Sequence, residues 1–207
     1  MYEPEAFRVT DRATLLEVVR ARPLGLIVSV GADGPSADAI PFHAVEGDGG
    51  LRLLAHVARP NPLWRRLAEN PDVLVVFQAE DAYISPSWYA SKAETHKVVP
   101  TWNYVMVQAR GRAVVHDDAH WVRAQVSAVT ASQEAGRATP WAVTDAPPAY
   151  IHAQLRGIVG IEIAVDDLRG KFKLSQNRSA EDRAGVIAGL QDAALAARMR
   201  AEGSDHG

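Results

Sequence analysis

The chain has 207 residues, 47% of them hydrophobic and 23% charged, with a formal net charge of −3. That profile suits a globular protein with one sizeable core, and it lacks the basic excess expected of an autonomous DNA-binding domain. There is no cysteine, which excludes disulfides, thiolate metal sites and a cysteine nucleophile.

Residues 10–22 read as a first helix. Thr10 or Asp11 caps it, Leu15, Leu16, Val18 and Val19 form its apolar face, and Pro23 stops it. Short strands follow at 26–30, 36–45 and 51–57, joined at Gly31-Ala32-Asp33-Gly34 and Gly47-Asp48-Gly49-Gly50. Pro41 marks a bulge or an edge in the second of these. In the third, Leu51, Leu53, Ala55 and Val57 share one face, and Arg52, Leu54 and His56 share the other. Asn61-Pro62 opens a short helix. Further strands are expected at 73–78, at 104–116 with a bend or bulge at Gly111, and at 158–165, which 172–174 continues. Helices are expected from Asp117 or Asp118 to about Ala135, over 149–155, and from Ser179 to about Arg200. Strands and helices do not alternate regularly, so an antiparallel barrel decorated with helices fits better than a parallel sheet. Residues 1–178 are expected to form one domain, 179–200 a C-terminal helix packed on it, and 201–207 a frayed tail.

Four stretches carry candidate chemistry. Residues 84–104 spend two Trp and two Tyr where a plain turn would use Gly, Asn and Ser. Such side chains suit a planar polar ligand or a subunit interface, and equally the packing of a core under a long loop. At 55–62 a strand runs almost directly into a capped helix, with His56 and Arg59 beside the helix amides. That makes an anion site conceivable, although many such junctions bind nothing. Residues 37–43 are short of bulky aliphatics, so either a flat ring lies along this backbone or it is a protected edge strand. Residues 171–178, KFKLSQNR, could meet an anion, a subunit or nucleic acid, or form a solvated turn. His116-Asp117-Asp118-Ala119-His120 reads as a strand end and helix caps, not as a metal site. No metal site and no catalytic residue is assigned.

The blocks Met1-Tyr2-x-Pro4 with Phe7, Asn61-Pro62-x-Trp64, Tyr83-Ile84-Ser85-x-Ser87-Trp88-Tyr89, VPTWNY at 99–104, Gly157-Ile158-Val159-Gly160 and KLSQNR at 173–178 together resemble the PaiB family. These are FMN-binding split-barrel negative transcriptional regulators. The resemblance implies a homodimer of six-stranded antiparallel split barrels with FMN at the subunit interface. It implies that Ala39, Ile40 and Pro41 line the flavin ring and that His56, Ala58, Arg59 and Asn61 hold the phosphate. Trp88, Thr101, Trp102 and Asn103 would complete the site or the interface. Pro60 departs from an ordinary cradle, because it removes one backbone donor. DNA would be reached directly through Lys171, Lys173 and Arg178, or through another protein. A flavin-dependent oxidoreductase on the same fold and a haem-binding relative are the alternatives. The N-terminus has no signal-peptide pattern and no apolar run approaches the ~20 residues that cross a bilayer. A cytoplasmic protein with no membrane partner is therefore expected.

Overall fold

The computed structural model describes residues 1–204. Among the described residues there are eight strands: β1 (Arg8–Val9), β2 (Leu24–Gly31), β3 (Gly34–Pro41), β4 (His43–Gly47), β5 (Gly50–Ala58), β6 (Asp72–Ile84), β7 (Thr101–His116) and β8 (Ile158–Lys173). The helices are α1 (Arg12–Ala21), α2 (Leu63–Glu69), α3 (Lys92–Thr95), α4 (Ala119–Glu134), α5 (Pro148–Arg156), α6 (Ala180–Gly189) and α7 (Ala193–Ser204). The strand order is β3-β2-β6-β7-β8-β5-β4, with β1 paired to β8.

The sheet thus has eight strands where six were expected. One addition is the two-residue β1, which pairs antiparallel with Gly170 and Lys171. The other comes from Pro41. Lacking an N–H, it ends the ladder with β2, and the strand expected over 36–45 breaks there into β3 and β4. Phe42 alone separates them. Its amide donates to the Pro23 carbonyl at 2.8 Å, and its ring meets Phe77 edge-on at 5.8 Å between centroids. Although β3 and β4 adjoin in sequence, they lie at opposite edges of the strand order and do not pair. The sheet curls there but stays split.

The chain forms two compact units. A sheet unit comprises Leu16–Phe77 and Gln108–Leu168; a terminal unit comprises Met1–Leu15, Gln78–Val107 and Arg169 onward. In the sheet unit, Leu51, Leu53, Ala55 and Val57 of β5 are all buried with Ile27, Val75, Phe77 and Ile161, as the alternation predicts. No bulge is needed at Gly111. A Cβ there would lie 2.0 Å from the Ala164 carbonyl oxygen, so glycine serves close backbone approach. In the terminal unit, Phe7, Leu15, Ile84, Val105, Val107, Phe172, Leu174, Val186, Leu195 and Met199 are buried.

Helix ends follow the expected caps. Asp11 accepts from Thr14 N, Asp118 from Trp121 N, and Ser179 from Asp182 N. The helix expected from Ser179 to Arg200 is in fact two, α6 and α7. Asp192 restarts the chain by accepting from the amides of Ala194 and Leu195. Helix α7 runs to Ser204, so 201–204 are helical, while 205–207 of the expected tail lie outside the described residues.

Candidate functional site

The β2–β3 hairpin presents one side to the sheet unit's core and the other outward. The outward pairs are Leu24 with Pro41, Leu26 with Ala39, Val28 with Ala37 and Val30 with Pro35. None of these eight residues is polar or charged. Seven are exposed, among them Leu24 at 63%, Val30 at 48% and Leu26 at 42%. Val76 and Leu74 of β6, which pair with Leu26 and Val28, extend the wall. A contiguous uncharged face of this kind marks a surface that something covers. Because β3 is an edge strand, its outer backbone groups are not used by the sheet. Ala39 and Pro41 are exposed on this wall, while Ile40 turns its side chain into the core. The edge amides and carbonyls of β3 are available for hydrogen bonds.

The β5–α2 junction is less open to an anion than its sequence suggests. Arg59 donates through both terminal nitrogens to the Asp117 carboxylate, at 2.9 and 2.6 Å, and through Nε to the Arg156 carbonyl at 2.8 Å. The guanidinium in turn holds the Asp117 carboxyl below its ordinary pKa. The Arg59 amide donates to the Gly157 carbonyl, the Asn61 amide to the Ala58 carbonyl, and the Leu63 amide to Asn61 Oδ1. Pro60 and Pro62 have no amide hydrogen. His56 Nδ1 lies 2.8 Å from Gln125 Oε1 of α4, which fixes the ring toward the helices. There it joins Trp141, Ile151, Leu155 and Ile158 in lining a cavity of about 220 Å³. The donors of this junction are thus largely committed to partners within the protein.

The expected contributions of the 84–104 segment fall in the terminal unit. Trp88 lies on a short 3-10 turn, Pro86–Trp88, and its ring packs on α6, where a Cβ at Gly189 would come within 2.5 Å of it. Thr101, Trp102 and Asn103 are strand residues, the first three of β7, where a loop was expected. Alternation sends Asn103 inward. It is fully buried and donates to Ser175 Oγ at 2.9 Å. Trp102 points outward, 52% exposed, with Tyr83 edge-on at 6.2 Å. Lys171, Lys173 and Arg178 also belong to this unit, and all three are half-buried. The site residues expected from the sequence thus divide: Ala39, Ile40, Pro41, His56, Ala58, Arg59 and Asn61 lie in the sheet unit, and the rest in the terminal unit.

His116, expected at a strand end, stacks on Trp121 with centroids 4.1 Å apart and lies 3.1 Å from Glu162 Oε2. Among the described residues no group of three His, Asp or Glu side chains is placed to hold a metal ion, and no helix is long and apolar enough to cross a membrane. The sequence reading missed the outward residues of β2. The signal was present: Leu24 to Val30 is apolar at nearly every position, the mark of a strand covered on both faces.

Comparison with known proteins gives the family. A family model described as "Putative FMN-binding domain" matches residues 1–167. Over 192 residues the chain is 33% identical to "Protease synthase and sporulation protein PAI 2" of Bacillus subtilis, covering 93% of this chain and 90% of that protein. An uncharacterized protein of Emericella nidulans is 33% identical over 215 residues, covering 86% and 85%. Among solved structures, the FAD and haem binding protein from Mycobacterium smegmatis superposes with a TM-score of 0.62 at 22% identity, covering 88% of this chain and 80% of that one. The flavocytochrome Anf3 from Azotobacter vinelandii gives 0.59 at 17% identity, covering 86% and 75%. At those identities the two structures speak for the fold alone. The family match spans most of the chain and the Bacillus relative nearly all of it, so this chain belongs to the PaiB family of FMN-binding proteins, whose cofactor is FMN.

Proposed function

We propose that the protein works as an FMN-binding homodimer with a regulatory role of the PaiB type. The observation that carries this reading is the uncharged wall of β2 and β3, seven of whose eight outward residues are exposed. A second copy of the chain covers it, with the flavin ring lying along Ala39, Ile40 and Pro41. Bound FMN supplies a ring that accepts and returns electrons. The residues of this chain hold that ring: β3 offers backbone donors and acceptors at its edge, and Leu24, Leu26 and Val30 exclude water from the wall. The Bacillus relative is named a protease synthase and sporulation protein, after cellular processes and not a metabolic substrate, which supports the regulatory reading.

The regulatory reading places the DNA contact with another protein. Lys171, Lys173 and Arg178 are half-buried and lie against aromatic rings and carbonyls, which is a poor surface for tracking a phosphate backbone. The test is light scattering at micromolar concentration together with the absorption spectrum of the purified protein. A dimer with a flavin spectrum is expected, and a stable monomer would sink the reading. Strong salt-dependent binding of the isolated protein to its own promoter region would move the DNA contact onto this chain.

A further inference from the structure

Positive charge in the sheet unit is mostly neutralised on the spot: Arg59 by Asp117, Arg66 by Asp33, Arg112 by Asp72 and Arg52 by Glu162. The terminal unit holds a contrasting group. Lys171 and Lys173 lie at the end of β8, and Arg178 follows the turn after it. Lys173 Nζ donates to Thr101 Oγ1 and, at 2.7 Å, to the carbonyl of Trp102. Lys171 Nζ lies over the rings of Tyr2 and Tyr104, 5.5 and 5.4 Å from their centroids. The Arg178 guanidinium lies over Tyr89 at 4.6 Å. Among the described residues no carboxylate forms an ion pair with any of the three. The carboxylate that feels Arg178 is Asp182, and its oxygens are taken by the Ser91 amide and hydroxyl at 2.9 and 2.8 Å.

Three half-buried like charges repel one another. Burial, and then the charges of Lys171 and Arg178, hold the Lys173 ammonium below the ordinary lysine pKa. Hydrogen-bonding capacity is also left over. Aromatic faces satisfy the charge of Lys171 and Arg178 without using all their N–H donors. The hydroxyl of Tyr89, under Arg178, is buried with no hydrogen-bond partner. Neighbouring cations without carboxylate partners, beside an orphaned hydroxyl, are what an oxyanion site looks like when described by its protein atoms alone.

We propose that Lys171, Lys173 and Arg178, with the hydroxyl of Thr101, form a binding site for a phosphate-type oxyanion. Exposed Trp102 and the half-buried ring of Tyr104 suit an anion carried on a flat molecule. Two sources share this chemistry: the phosphate of FMN itself and the phosphate of a separate small ligand. The paired state of Arg59 and the spent amides of the β5–α2 junction leave room for either.

The experiment titrates inorganic phosphate into the full-length protein, flavin-free and FMN-loaded, by calorimetry. NMR of the lysine side chains follows Lys173. Saturable binding is expected, together with an upward move of the Lys173 pKa when phosphate is bound, because an anion favours the charged amine. Lys173→Met and Arg178→Gln should each weaken phosphate binding about tenfold or more. Lys171→Met, which removes a cation touching only aromatic rings, guards against a variant that fails to fold. If the cofactor is the source, phosphate competes with FMN, and Lys173→Met weakens FMN while leaving riboflavin unchanged. If a separate ligand is the source, phosphate binds the FMN-loaded protein as well as the flavin-free one. No saturable phosphate binding in either state overturns the site. So does binding that all three variants leave intact, or duplex DNA binding through these residues without any phosphate binding.

Discussion

The two units solve opposite problems with their charges. In the sheet unit, arginines meet carboxylates, and what remains exposed is the uncharged wall from Leu24 to Pro41. In the terminal unit Arg169 pairs with Glu3 and Arg198 with Glu80, but aromatic rings and carbonyls surround Lys171, Lys173 and Arg178, and one carboxylate near them, Asp182, is turned to Ser91. The difference separates two recognition tasks. An apolar wall attracts a flat ring and another protein surface without discriminating by charge. A set of unpaired cations discriminates by charge and contributes little apolar area. Net charge, at −3 for the chain, hides both.

The sharpest way to break this contrast is to charge the wall. Leu26→Asp with Val30→Asp should raise the dissociation constant of the proposed dimer about a hundredfold or more, because each carboxylate would be buried without a partner. Analytical ultracentrifugation across a concentration series reads it, and Lys171→Met should leave the same curve unmoved. A smaller effect is expected at Asp182. It is 4% exposed and accepts two hydrogen bonds from Ser91, so Asp182→Asn should cost about 2 kcal/mol at neutral pH. The Ser91 amide and hydroxyl lower its folded pKa below 3.8, the amide more strongly. Its contribution is therefore complete above the unfolded value and disappears as pH falls through the folded one. Urea titrations should show wild type and Asp182→Asn diverging above about pH 4 and converging below it.

Close packing under Trp88 gives the next effect. A Cβ on Gly185 would lie 2.0 Å from the Trp88 carbonyl oxygen, so Gly185→Ala should destabilise by about 1–3 kcal/mol despite the better helix propensity of alanine. A rise in melting temperature would contradict the packing. The smallest change belongs to the exposed pairs of the sheet unit. Arg112→Ala, which removes the bridge to Asp72, should shift stability by less than about 1 kcal/mol, and less still in high salt. If it instead altered the dimer as strongly as the wall substitutions, charge pairing and not the apolar face would be setting assembly.

Much of the local structure was legible in the chain. Alternation over Leu51 to Val57 places the core side of β5, and Asp11, Asp118 and Ser179 cap the helices where their side chains predict. Family blocks such as VPTWNY and KLSQNR point to FMN from the sequence alone. The errors arose where tertiary partners override local signals. The 36–45 segment reads as one interrupted strand, because no local pattern shows that its halves pair with strands at opposite ends of the sheet order. Thr101 to Asn103 reads as loop, because its polar and aromatic residues are satisfied by distant Lys173, Ser175, Met199 and Tyr83.

What the sequence determined by itself is therefore short-range: turns at Gly and Pro, caps, the period-two face of β5, and the cofactor class through motifs. Only the tertiary structure decided which charges are cancelled. Arg59 and Lys173 read alike in sequence as cations near turns. Asp117 lies 58 residues from Arg59 and quenches it. No carboxylate among the described residues does the same for Lys173. Coulombic pairing depends on distance in space, and the chain's own order of residues does not encode that distance.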